Sequence, residues 1–107
     1  MPRFVEELTL NDESIEELFA HGLDPDDVYE VLRANPKILP NKGRRARRRA
    51  NHRERWKMIG PGRTGRLLTI IIEHPDHAGR AHVVTGWKSD RGDQTRYRQP
   101  GGRRNQP

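Results

Sequence analysis

Cysteine is absent from this 107-residue chain. That removes any disulfide framework and any thiolate metal site, and it fits a reducing compartment. Long apolar runs are missing as well. The opening MPRFVEELTL carries neither a secretory leader pattern nor a membrane span, so the expectation is a cytoplasmic protein without membrane partners. Apolar residues make up 31% against 34% charged, so the core must be small and part of the chain irregular. A phosphate-cradling glycine loop is absent too, because Gly60, Gly62 and Gly65 punctuate a turn between strands, not a strand-to-helix junction. The chain has no internal repeat, and its length makes it one domain.

What is present is charge, and it is segregated. Residues 1–35 hold two basic and ten acidic side chains, a net of −8; residues 36–107 hold nineteen basic and five acidic, a net of +14. Separation of this kind implies two surfaces with different partners, the basic one suited to nucleic acid or to an acidic protein. The alternative is internal compensation, acidic helices balancing a basic sheet.

The basic character peaks in KGRRARRRANHRERWKMIG, residues 42–60. Its first half is an arginine run, Arg44, Arg45, Arg47, Arg48 and Arg49, in which no apolar residue exceeds alanine; it reads as a mobile basic loop over 41–52. Its second half alternates, with Arg53, Arg55 and Lys57 on one parity and Trp56 and Met58 on the other. Successive side chains of a strand point to opposite faces, so a strand here sets a basic row above an apolar one.

The remainder reads as scaffold. Phe4–Leu10 is a short first strand. Asn11 caps a helix whose Ile15, Leu18 and Phe19 share a face and which Gly22 ends. Asp24-Pro25-Asp26-Asp27 starts a second helix with Val28, Val31 and Leu32 as its stripe, stopped at Asn35-Pro36. Lys37–Leu39 is a brief strand. After the turn at 61–65, Arg66–Glu73 is apolar on both parities and reads as a central strand covered on both sides. A turn at 74–79 leads to a strand over 81–88, and Ser89 or Asp90 caps a last helical segment reaching Tyr97. The expected fold is α+β: two short N-terminal helices on one face of a small, mainly antiparallel meander sheet, with a short C-terminal helix. Residues 1–98 form the domain, and 99–107 a disordered tail.

The helix ending His21-Gly22, LDPDDVYEVL, the basic loop, ERWKMIG, GRLLTIII, VVTGWKSD and the terminal Tyr97 together resemble the BrnT toxins of the RelE/ParE superfamily of toxin–antitoxin systems. The resemblance spans about Phe4 to Tyr97. It implies a RelE/ParE-like fold and a ribonuclease that works without metal or small-molecule cofactor, neutralised by a cognate antitoxin. The chain departs from the family pattern at Ala20, where lysine is usual, and at Thr85-Gly86-Trp87, where Lys88 is the nearest base.

Metal-free RNA cleavage needs a base for the 2′-hydroxyl, cations for the phosphorane charge and an acid for the leaving oxygen. His52, Lys57, Lys88 and Tyr97 are the candidate catalytic residues. Arg53, Arg55, Arg63, Arg66 and His82, with the arginines of the loop, are the candidate RNA contacts. His82 joins Lys88 in the site if their shared parity is the open face. The same residues fit two other readings: an inactive module that binds RNA or the ribosome, and a domain using its basic surface for an acidic protein. His74, Asp76, His77 and His82 are a poor zinc set, being carried mainly on a proline-glycine turn without thiolates.

Overall fold

The computed structural model describes residues 3–41, 54–100 and 103–105. The segment 42–53, with the arginine run, His52 and Arg53, lies outside the described residues.

Two capped helices follow a short strand, β1 (Glu7–Thr9). At the start of α1 (Asp12–Ala20), the Ser14 amide donates to Asn11 Oδ1 at 2.8 Å and Ser14 Oγ accepts from the Asn11 amide. These bonds satisfy donors that a helix start leaves open. Gly22, at φ +75°, turns the chain out of the helix, a backbone conformation that costs glycine little. Asp24 caps α2 (Pro25–Arg33), and Asn35, at φ 55°, ends it. Val28, Val31 and Leu32 of α2 and Leu18 of α1 are buried in one core, each contributing roughly 1.5–3 kcal/mol of transfer free energy.

Four strands then run as a meander: β2 (Lys37–Pro40), β3 (Arg55–Pro61), β4 (Leu67–Glu73) and β5 (Arg80–Lys88). Helix α3 (Arg91–Arg98) follows, capped by Asp90, and then β6 (Arg103–Arg104). The sheet order is β1-β5-β4-β3-β2-β6; β1 joins β5 in parallel and every other pair is antiparallel. The fold is therefore α+β with a mixed sheet, and the expected first strand is shorter than the sequence suggested.

Ile38, Met58, Ile70, Ile72 and Val83 face α1 and α2. Helix α1 runs along the outer edge of β5: Ser14 Oγ donates to the Val83 carbonyl at 2.7 Å, and Glu17 accepts from the Thr85 hydroxyl at 3.2 Å. The His21 ring lies 6.0 Å from Trp87. The helix so blunts an edge on which another strand would otherwise pair. Helix α3 lies on the opposite face, since Asp93 reaches Lys57 and Thr69, whose neighbours Met58 and Ile70 point into the core.

Two corrections to the sequence reading matter for the site. The 99–107 tail is not uniformly without structure. Residues 103–104 pair with β2, and Asn105 is 1% exposed, accepting from the Val5 amide at 2.7 Å and donating to the Val5 carbonyl at 2.8 Å. A side-chain amide can satisfy a strand's backbone in this way because it carries both a donor and an acceptor. The second correction is a bulge. Ile72 pairs with Val83 but Ile71 with Thr85, so Val84 is extra and the faces exchange. His82 and Lys88, assigned one parity from sequence, lie on opposite faces.

Asp27 joins the helical layer to the β3–β4 turn. Its carboxylate accepts from the Asp24 amide at 3.0 Å, and from the Arg63 amide and guanidinium at 3.1 and 3.3 Å. Burial alone raises its pKa, but the two amides and the Arg63 cation outweigh burial and hold it below the ordinary value of 3.8.

Two outcomes follow from these contacts. Asn105→Ala leaves both Val5 backbone groups buried and unpaired, and is expected to cost about 2–3 kcal/mol in denaturant unfolding. A group with a depressed folded pKa contributes stability above its unfolded value and loses it in acid. Wild type should therefore lose stability as pH falls through 3.8 and below, and Asp27→Asn should flatten that part of the profile.

Candidate functional site

The face of the sheet turned away from α1 and α2 carries the charged parity of β3. Trp56 and Met58 pack in or against the core, so Arg55 and Lys57 lie on the other side. This is the arrangement read from the alternation, for the part of it within the described residues. Each of these two residues heads a row across the strands.

In the first row Arg55 pairs with Glu73. One step beyond the Ile72–Val83 pair, His82 comes alongside Glu73, and His82 itself pairs with Thr9. The neighbours Trp56, Ile72, Val83 and Leu8 are all on the core side, which sets Arg55, Glu73, His82 and Thr9 on the opposite face. Arg55, Glu73 and His82 line a polar groove of about 660 Å³. Asn11, the cap of α1, and Glu13 and Glu17 of α1 line it as well, as does Thr85. That volume falls in the range of small-ligand sites, roughly 300–1,000 Å³.

His82 is held at both nitrogens. Nδ1 lies 3.2 Å from Thr9 Oγ1, and Nε2 lies 3.4 Å from Ser14 Oγ. Ser14 has one hydroxyl proton, and its acceptors are the Val83 carbonyl at 2.7 Å and Asn11 Oδ1 at 2.8 Å. Ser14 therefore accepts from Nε2–H. Thr9 is able to accept from Nδ1–H, so this site accommodates the imidazolium as well as a neutral ring. Thr9 is exposed and Ser14 buried, which leaves Nδ1 as the nitrogen nearer the solvent.

The second row runs through Lys57, Ile71 and Thr85. Here α3 closes over the sheet with polar contacts. Lys57 Nζ donates to Asp93 Oδ1 at 3.2 Å, with the lysine side chain 17% and the aspartate 4% exposed. Thr69 Oγ1 donates to Asp93 Oδ2 at 2.9 Å and shares a 2.8 Å bond with Ser89 Oγ. Lys37, 3% exposed, donates through Nζ to the Arg96 and Gln99 carbonyls, where a cation complements the negative end of α3.

The residues singled out from sequence are thus dispersed. Arg55 and His82 meet in the groove. Lys57 and Tyr97 lie at the α3 interface, Lys57 committed to Asp93 and Tyr97 beneath the Arg104 guanidinium, 4.7 Å from its ring centre. Arg63 is bound to Asp27 on the helical side, Arg66 lies in the β3–β4 turn, and Lys88 pairs with Leu68 near the same end. His52, Arg53 and the loop arginines Arg44, Arg45, Arg47, Arg48 and Arg49 lie outside the described residues. Sequence reasoning missed Glu73 and Asp93. Thr69, a lone polar residue inside LLTIII, was a readable sign that this strand meets a polar partner on its second face.

The histidines of the β4–β5 connection go elsewhere. His74 stands edge-on to Phe4, with ring centres 5.6 Å apart, and Asp76 pairs with Arg80 at 3.5 Å. Among the described residues no three side chains gather as metal ligands, and no helix is long and apolar enough to cross a membrane. The sequence matches no protein-family model and no curated protein.

Chemically, the groove joins a guanidinium, a carboxylate and an imidazole on three adjacent strands. The α3 interface is a part-buried ion pair whose carboxylate also accepts from the Thr69 hydroxyl. Removing one member of such a pair strands the other. Asp93→Ala is expected to destabilise the domain by about 3 kcal/mol, lowering Tm by more than about 10 °C in a thermal melt. Lys57→Met, which removes the charge but keeps the stem, should cost less.

Proposed function

We propose that this chain is a toxin-like RNA-binding domain that cleaves RNA without a metal, in keeping with its resemblance to the BrnT toxins of the RelE/ParE superfamily. On this reading a small antitoxin is its neutralising partner. The observation that supports it is the placement of charge by the sheet. Asp12, Glu16 and Glu30 belong to α1 and α2 on one side, and Glu13 and Glu17 of α1 reach round to the groove. Lys37, Arg55 and Lys57 sit on the other, joined by Arg91, Arg96 and Arg98 of α3 and by Arg104. A phosphate backbone approaching the α3 side meets the exposed Arg91, Arg96, Arg98 and Arg104, with Lys37 buried beneath them, whereas the helical side carries most of the carboxylates alongside Arg63 and Lys88. Glu13 and Glu17 in the groove lining restrict where the backbone can lie, favouring phosphate on the Arg55 side.

The commitment of Lys57 to Asp93 favours one competing reading, a module of the same fold that binds RNA and does not cut it. Fluorescence anisotropy with a single-stranded RNA, followed by product analysis on a gel, separates the two. Affinity is expected to fall steeply with salt, with a log–log slope of about −0.7 for each phosphate engaged. Arg91→Ala, Arg96→Ala and Arg98→Ala together should make that slope shallower by about 2. Shortened RNA should appear in the presence of a chelator. RNA affinity indifferent to salt, or none at all, would sink the RNA reading; an acidic protein partner then becomes the better account of the basic face.

A further inference from the structure

The assignment of lysines, a tyrosine and His52 to catalysis leaves the groove lined by Arg55, Glu73 and His82 without a role. Its three adjacent-strand residues are of the types that transesterification of RNA requires. A carboxylate can take the proton from a 2′-hydroxyl, an imidazolium can give one to the departing oxygen, and a guanidinium can carry the phosphate. We infer that Glu73 is the general base and His82 the general acid of this cleavage, with Arg55 seating the scissile phosphate. The inference rests on the reading of the chain as a ribonuclease and names its reacting groups.

The sheet supplies the order of these groups. Arg55 pairs with Glu73 across β3 and β4, and His82 follows on β5, so the carboxylate stands between cation and imidazole. All three line the same groove. Adjacent strands lie about 4.8 Å apart, so side chains of neighbouring strands can reach opposite sides of one phosphodiester.

The step balances without a co-reactant. The 2′-oxygen bonds to phosphorus as its proton passes to Glu73. The bond from phosphorus to the 5′-oxygen breaks, and that oxygen takes a ring proton of His82, which lines the groove. The products are a 2′,3′-cyclic phosphate and a 5′-hydroxyl. Glu73 ends protonated and His82 neutral, and exchange with water restores both. The Nε2 contact with Ser14 keeps the ring in place throughout. The charged groups facing His82 are Glu73 and Arg55 from the sheet and Glu13 and Glu17 from α1.

The test uses the full chain and an RNA oligonucleotide, with a second oligonucleotide carrying 2′-deoxyribose throughout. Wild type should cut the first, leave the second whole, and yield cyclic phosphate ends. Its rate should rise and then fall with pH. Glu73→Gln and His82→Gln should each lower kcat by about 100-fold or more, with RNA affinity within about threefold of wild type. Glu73→Gln should lose the acidic limb of the profile and His82→Gln the basic limb, while Glu73→Asp recovers part of the rate. The isosteric Glu73→Gln stands as the decisive variant should His82→Gln unfold. Undiminished cleavage by Glu73→Gln overturns the assignment while leaving the ribonuclease reading intact. RNA that is bound but never cut overturns both the assignment and cleavage, and leaves RNA binding standing.

Discussion

Alternation along β3 decides what each side of the sheet can be. Trp56 and Met58 are drawn under α1 and α2 by the same pleat that turns Arg55 and Lys57 the other way. A slip of one residue would bury two cations and expose an indole, so the apolar set fixes the register that the charged set inherits. The partner strands obey the same constraint. Ile70 and Ile72 lie under the helices, and Thr69, Ile71 and Glu73 lie on the far side. Core and charged face are therefore one structural decision.

The far side is not left open along its length. Helix α3 has the sequence RGDQTRYR, with Tyr97 as its one large apolar-bodied side chain, so it cannot dock by hydrophobic burial alone. It is held by Lys57 to Asp93, by Thr69 to the same carboxylate, and by Lys37 at its last carbonyls. Bonds of this kind cost much to desolvate and return it only while every partner is in place. Polar docking divides the face into a closed half under α3 and an open half at Arg55, Glu73 and His82.

Much of this was readable from local signals. Caps at Asn11 and Asp24, the stop at Gly22, the turn glycines and the period-two pattern of residues 55–58 each act over a few residues, and each placed its element. What escaped depended on contacts distant in sequence. The bulge at Val84 arises where β5 must match both β4 and β1, and nothing in AHVVTGW marks it. Asp93 reads as an ordinary first-turn carboxylate until the helix is set on Lys57. Glu73 reads as the end of an apolar strand until Arg55 and His82 arrive from either side. Asn105, in a stretch of arginine, glycine and proline, has the composition of a tail and the position of a strand partner. Composition is silent about contacts across such separations.

The bond between Val5 and Asn105 has a bearing on how the domain is made. The first strand finds its partner at residues 80–82, and Val5 just before it finds its own at residue 105, so this segment waits unpaired while most of the intervening chain is synthesised. Contacts this far apart slow folding and make it cooperative. A nascent chain therefore carries its arginine-rich middle well before the sheet that orders the charged face is complete. Any activity that depends on the completed sheet therefore waits until residue 105 has been translated.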